Sequence, residues 1–201
     1  MNFAKTKEIV FTRPTLPRDV LPPPFNDIER VTFCKLLGVT IQSDLRFNMY
    51  VNQLITSCTQ RLFLLRALKA RGLDAKNLSN VYKAIVVGRI NYALSVWGGY
   101  ISAVDKSRIN KLFAKCCRYG YINVPDVFDD LLHDSDASLF KKIQREGHPL
   151  FHLLPPRTTL NMKTRPKGHN FYLPQIKYDL RKKSFLIRAL FKFKIDLSTL
   201  R

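Results

Sequence analysis

Residues 48–72, NMYVNQLITSCTQRLFLLRALKARG, carry the most regular apolar spacing in the chain. Val51, Leu54, Ile55, Cys58, Leu62, Leu65 and Leu68 recur at the three-and-four spacing of one helix face, which predicts a single long amphipathic helix. Gly72 is its natural left-handed stop. Arg61, Arg66, Lys69 and Arg71 crowd its second half, where outward-pointing carbonyls favour cations. Asp74 is placed to cap a second helix, whose stripe of Leu78, Val81, Tyr82, Ile85, Val86, Ile90, Ala93 and Trp97 ends at Gly98-Gly99. Trp97 is expected to be buried against the first helix. A third helix is predicted from about Ala103 to Tyr119, burying Ile109, Leu112, Phe113 and Cys116 and carrying Lys106, Arg108, Lys111, Lys115 and Arg118 on its other face.

Upstream of this helical run the pattern changes. Lys7 to Phe11 (KEIVF) reads as a short strand before a proline-rich connection holding Pro14, Pro17 and Pro22 to Pro24. Ile28 to Ile41 is rich in β-branched residues and reads as a strand or as a hairpin bent at Gly38, stopped by Gln42-Ser43-Asp44. Downstream, two short helices are expected, one starting at Asp126 and one at Ser135 or Asp136, before Gly147. The aspartates at 126, 129, 130, 134 and 136 suit helix first turns better than a metal. Lys182 to Phe193 supplies a last apolar stretch, expected to be a docking helix. The fold expected is mainly α: a small N-terminal antiparallel β element (residues 1–45), a helical bundle (46–156) and a basic C-terminal segment (157–201).

Length and composition fit one globular chain. The 201 residues are 46% hydrophobic and 24% charged, enough to bury a core. Thirty-four Lys and Arg against fifteen Asp and Glu leave a formal +19, which points first to a polyanionic partner. The excess is uneven, with nets of +8, +1 and +10 in residues 1–100, 101–156 and 157–201. In the last segment Arg157, Lys163, Arg165, Lys167, Arg181, Lys182 and Lys183 are interleaved with Phe171, Tyr172, Tyr178 and Phe185, a mixture suited to phosphates and unstacked bases. Alternatively, those aromatics pack on the body of the domain. No apolar stretch approaches the roughly 18 residues that cross a bilayer, and residues 1–20 lack a signal-peptide core. An intracellular protein with no membrane partner is therefore expected.

The search for chemistry returns little. Cys34, Cys58, Cys116 and Cys117 form no C-x-x-C and read as reduced thiols, mostly buried. His148 and His152 have helical spacing, but Pro149 lies between them and no further ligand completes a metal set, so neither metal nor other cofactor is expected. No phosphate-cradling glycine loop, nucleophile elbow or zinc-protease motif is present. Glu8 and Glu29 are the only carboxylates on predicted strands, too few for a two-metal site, so no catalytic residue is assigned.

The order of segments resembles something specific. MNFAKTKEIVF, ERVTFCKLLGVTI, DLRFNMYVNQL, QRLFLLRAL, VYKAIVVGRINYALSVWGG, the EGHPLFHLLPP stretch and the final YDLRKKSFLIRALF together look like non-LTR retrotransposon reverse transcriptases of the jockey- and CR1-like kind, over nearly the whole chain. The resemblance implies the end of the palm, a thumb and a post-polymerase region of an RNA-directed DNA polymerase. Asn-x-x-Lys-Thr-Lys follows that family's catalytic Tyr-Ala-Asp-Asp turn, which would make Lys5 the lysine near the departing pyrophosphate and put Leu37 and Gly38 at the primer grip. The 201 residues start after that turn, so both catalytic aspartate motifs are missing from them and a truncated, non-polymerising fragment is expected. Arg61, Arg66, Lys69, Lys111, Lys115, Arg181, Lys182 and Lys183 would meet the backbone of an RNA–DNA hybrid or of single-stranded nucleic acid. Residues 33–97 also look like the small domain named for the N-terminal part of AlkB homologue eight, which would suggest an oxygenase or methyltransferase. Neither a ligand set nor a cofactor loop supports that. A helical protein-interaction module, with Lys and Arg merely solubilising it, is the competing class.

Overall fold

The computed structural model describes residues 6–12, 21–25, 28–157 and 169–194. The fold is mainly α, and the described residues hold two small sheets of two strands each, both N-terminal. Two compact units divide the chain, residues 1–90 with 101–125 and residues 91–100 with 126–201.

In the first unit, β1 (Lys7–Glu8) pairs with β2 (Glu29–Arg30) in parallel, and β3 (Phe33–Leu36) with β4 (Val39–Gln42) antiparallel. The antiparallel element is the hairpin expected around Gly38. The parallel pair was not anticipated: some twenty residues separate its strands, so no tight turn constrains their direction. Its register sets opposite charges side by side, Lys7 with Glu29 and Arg30 with Glu8. Arg30 also donates to the Pro22 and Pro23 carbonyls, tying down part of the proline-rich connection.

Helix α1 (Asn48–Ala70) is the long helix read from the sequence. It buries Tyr50, Val51, Leu54, Cys58, Leu62 and Leu65. Gln42 accepts from the Met49 N–H and Thr40 donates to Gln53, which fixes the hairpin against the start of α1. Asp74 caps α2 (Ala75–Tyr82) through the Asn77 N–H, as expected. The helix then does not run smoothly to Gly98. It widens into a π turn over Lys83–Val87, continues as α3 (Gly88–Asn91) and breaks at Ala93, which sits at φ +51° before α4 (Leu94–Trp97). Trp97 explains the break in part: its indole N–H donates to the Tyr92 carbonyl, an acceptor that a continuous helix would use internally. Helix α5 (Ala103–Arg118) starts at Ser102, whose hydroxyl accepts from the Asp105 N–H, and buries Ile109, Leu112, Phe113 and Cys116.

In the second unit one helix, α6 (Phe128–Ile143), replaces the two short ones expected there. Asp129 and Asp130 occupy its first turn as anticipated, but Asp136 does not start a new helix. It is fully buried and paired with Arg188. Trp97 is fully buried, with its ring 5.8 Å from that of Phe128 of α6 between centroids. After the short α7 (Asp179–Lys182), helix α8 (Phe185–Lys192) packs on α6. Ala189, Leu190 and Phe193 close a core with Phe140, Ile143 and Phe171. The basic segment thus contains the docking helix read from Lys182 to Phe193.

Candidate nucleic-acid interface

A cluster of positive side chains in the first unit forms where two helices end together. Arg108 of α5 donates to Asn52 of α1, Lys69 of α1 donates to the Tyr119 carbonyl at 2.6 Å, and Tyr121 donates to the Leu62 carbonyl at 3.5 Å. These contacts run α1 and α5 side by side in the same direction, so both C-termini lie at one end of the unit. Each finishes in the same way. Gly72 (φ +84°) and Gly120 (φ +69°) take the left-handed position, with Leu73 N–H returning to Leu68 and Tyr121 N–H to Cys116. A Cβ at 120 would lie 2.7 Å from the Lys69 ammonium, which would have to move aside.

Between these ends opens a cleft of about 650 Å³ lined by Arg66, Lys69, Ala70, Tyr119 and Tyr121. Its outer wall is Tyr119, 43% exposed, with Lys115 Nζ at 5.7 Å and the Arg118 guanidinium at 5.8 Å from its ring centroid. Its floor is the buried Tyr121, edge-on to Tyr119 at 5.8 Å. None of the lining residues is acidic. Among the described residues no ion pair engages Arg66, Lys111, Lys115 or Arg118, whereas Arg30, Arg46 and Arg108 each have a carboxylate partner. Two helix C-termini side by side concentrate partial negative charge, which accounts for some cations here. Lys69 serves that purpose directly, on the Tyr119 carbonyl. Arg66, Lys115 and Arg118 exceed it, and their ammonium and guanidinium groups suit phosphate oxygens.

The remaining sequence candidates fall elsewhere. Lys111 is exposed on α5, one helical turn before Lys115. Arg61 is half-buried and gives an N–H to the Ile85 carbonyl at 2.8 Å, an acceptor within the π turn. It stands apart from the cleft as a tie between α1 and that turn. Leu37 and Gly38 form the two-residue tip of the β3–β4 hairpin, both at positive φ (+46° and +84°), and Leu37 is 83% exposed. Lys5 lies outside the described residues, as do Lys163, Arg165 and Lys167.

In the second unit Arg181, Lys182 and Lys183 are exposed on and after α7, with Lys182 paired to Asp179 at 3.0 Å. The neighbouring aromatics divide. Phe171 is buried beneath the Arg157 guanidinium, 5.4 Å away, and Phe185 packs on the core, whereas Tyr172 and Tyr178 are exposed.

Little else in the described residues offers reactive chemistry. None of the four cysteines is in a disulfide, Cys58 and Cys116 being buried, and burial pushes the Cys58 thiol up to about 11 despite the nearby Arg61 and Arg89. No group of three or more His, Cys, Asp or Glu is placed to hold a metal ion there. His148 accepts from the Leu150 N–H just before a single 3-10 turn (Phe151–Leu153) that contains His152. Glu8 and Glu29, the strand carboxylates, are spent on Arg30 and Lys7. Among the described residues no helix is long and apolar enough to cross a membrane.

Sequence reasoning had selected Arg66, Lys69 and Lys115. It missed Tyr119 and Tyr121, for which the Arg-Tyr-Gly-Tyr run at 118–121, a basic helix end followed by glycine, was the available signal. Comparison with protein-family models, curated proteins and solved structures finds no match for the chain.

Proposed function

We propose that this chain binds nucleic acid through its sugar–phosphate backbone, as the thumb and post-polymerase part of a reverse-transcriptase-like protein of the retrotransposon kind. The observation that carries this reading is the meeting of Arg66 from α1, which lines the cleft, with Lys115 and Arg118 from α5, which sit over the ring of its wall residue Tyr119, where no described acidic side chain lines the cleft. Cations from separate helices, without acidic neighbours, form a surface that lowers its energy by taking an anion. The net charge of +19 gives that surface a favourable long-range field. The hairpin tip supports the same reading. A leucine held at positive φ with its side chain in solvent is costly on both counts, and such strain is more often kept where a surface is used. Its position is the one the resemblance gives to a primer grip.

One observation favours the competing interaction-module reading: Phe63 and Leu64 are consecutive and both exposed on α1. Ionic strength separates the two. Contacts to phosphates weaken linearly on a log–log salt plot, by roughly 0.7–0.9 per phosphate, whereas apolar association does not weaken with salt. Titrating an RNA–DNA hybrid with the intact chain at several salt concentrations should give a steep slope. Binding that is absent at low salt, or indifferent to salt, would reject the reading.

A further inference from the structure

We infer that the cleft between the ends of α1 and α5 takes an unpaired stretch of nucleic acid, with one base stacked on Tyr119 and the flanking phosphates on the cations at either side. This rests on the nucleic-acid reading above and narrows it, from a backbone in general to a single strand at this site.

The shape of the site is the first argument. A duplex presents its phosphates on a convex, stiff surface and keeps its base faces inside the stack, so it can touch exposed cations but cannot send a base into a cleft. The cleft of about 650 Å³ is within the range of pockets that enclose small organic ligands, about 300–1,000 Å³. An unpaired nucleotide is such a ligand on a chain.

The chemistry of its wall is the second. Tyr119 ends α5 with its ring substantially exposed, while Tyr121, two residues on, is buried. Lys115 and Arg118 now sit over this ring, so a base that stacks on it takes their place and leaves them to the flanking phosphates, the combination of stacking and charge that single strands use without regard to sequence. Arg66, Lys115 and Arg118 supply that charge on this side of the loop.

The path of the strand is the third. A second, more polar hollow of about 380 Å³ adjoins the first, because Tyr121 lines both. Its wall includes Lys76, Ser79 and Lys83, donors suited to phosphate oxygens, along with Gly120 and Asn123. Gly120 lines the second hollow, and the Lys69 ammonium, which lines the first, lies beside it. A strand whose base rests on Tyr119 would pass the Lys69 ammonium at Gly120 and place its next phosphate near Lys76 and Lys83. This arrangement assigns Lys76 and Lys83, on α2 and the π turn, to the same ligand as the α1 and α5 cations.

The test uses the full chain and three labelled probes of about twelve nucleotides, oligo-dT, oligo-U and the matching RNA–DNA hybrid, each titrated at two salt concentrations. Single strands should bind more tightly than the hybrid, and the dT and U arms identify the sugar preferred. Tyr119→Ala should cut single-strand affinity about tenfold while leaving its salt slope unchanged, because stacking and not phosphate contact is lost. Tyr119→Phe should bind as the original, and Tyr119→Trp should show indole quenching on addition of oligo-dT. Lys76→Ala with Lys83→Ala should lower the slope. Hybrid bound as tightly as single strand, or Tyr119→Ala of unaltered affinity with an intact circular dichroism spectrum, overturns this inference and leaves backbone binding standing. Failure of every probe to bind at low salt overturns both.

Discussion

Arg188 grips Asp136 with both edges of its guanidinium, Nε to Oδ2 at 2.7 Å and Nη2 to Oδ1 at 2.8 Å, across 52 residues of sequence. Nη2 also donates to the Ser95 carbonyl at 3.0 Å and Nη1 to the Lys183 carbonyl at 2.5 Å. One side chain thereby ties the segment before Gly98, helix α6 and the α7–α8 junction of the second unit. The Asp136 side chain has no solvent exposure, and the Arg188 guanidinium takes both of its oxygens. Arg188→Ala should destabilise the chain by about 3–5 kcal/mol, since the carboxylate is left buried and unpaired. Replacing both partners, Arg188→Met with Asp136→Leu, should cost clearly less. Urea unfolding of the three chains checks the order.

The same pair explains a glycine. A Cβ on residue 99 would lie 1.8 Å from Arg188 Nη1 and 2.4 Å from the Lys183 carbonyl, neither of which can withdraw without breaking the network. Gly99→Ala is expected to destabilise by about 1–3 kcal/mol, the range for forced overpacking, although its φ is not in the left-handed region. At Gly72, where a Cβ would meet nothing within 4 Å, alanine should incur only the backbone cost of φ +84°. Thermal unfolding of the two variants compares these causes.

Acid should loosen the second unit through His169. The buried ring donates from Nε2 to the Leu190 carbonyl at 2.7 Å and accepts at Nδ1 from the Phe171 N–H at 3.2 Å, an arrangement that only the neutral imidazole satisfies. Burial is the main cause holding its pKa below the ordinary histidine value, and Lys194 acts in the same sense. The unfolded chain takes up this proton near pH 6.5, the folded chain only at lower pH. The stability it contributes is therefore complete above about pH 6.5 and lost as pH falls below it. His169→Gln should flatten that part of a stability–pH curve measured by denaturant unfolding.

The hairpin tip makes an opposite kind of prediction. Leu37 and Gly38 both have positive φ, the turn for which Asn-Gly is preferred. Leu37→Asn should therefore stabilise the chain, by up to about 1 kcal/mol, because asparagine tolerates that conformation and no buried contact is given up. If the leucine is kept for contact with nucleic acid, the more stable variant should bind the hybrid less well. Denaturation and hybrid titration on one preparation test both halves.

Helix α1 was legible because its apolar period is unbroken from Val51 to Leu68 and its glycine stop stands just beyond. The hairpin was legible for the same local reason, Gly38 between β-branched runs. The merging of two expected helices into α6 was not. Asp134, Ser135 and Asp136 look like a fresh cap, and only Arg188, far along the chain, shows that Asp136 is an interior counter-ion. The break at Ala93 was hidden because the stripe through Ile90 and Trp97 keeps helical spacing across it, while Trp97 takes the Tyr92 carbonyl. The cations of the candidate site were readable one by one. Their meeting was not, because it depends on α1 and α5 ending at the same place, a property of topology that neither helix encodes.

Burial of Trp97 was expected from the sequence and is complete in the structure, although against Phe128. Trp97→Ala should cost roughly 3–5 kcal/mol, the usual loss for a buried large aromatic. Fluorescence of this one tryptophan during urea unfolding of the unaltered chain should shift to the red in the same transition that circular dichroism reports.

The central claim, that phosphates are held where α1 and α5 end, is tested most directly by the salt dependence of binding in two variants of equal net charge. One replaces Arg66, Lys115 and Arg118 by alanine and leaves Lys69 to its role on the Tyr119 carbonyl. The other replaces Lys141, Lys142 and Arg145, exposed at and just beyond the end of α6, in the same way. With an oligonucleotide titrated from low to high salt, the first variant should lose up to about three contacts, each worth about 0.7–0.9 in the log–log slope, while the second keeps the slope of the unaltered chain. Equal loss in both variants would mean that net charge alone attracts the strand, and an unchanged slope in the first would contradict the account outright.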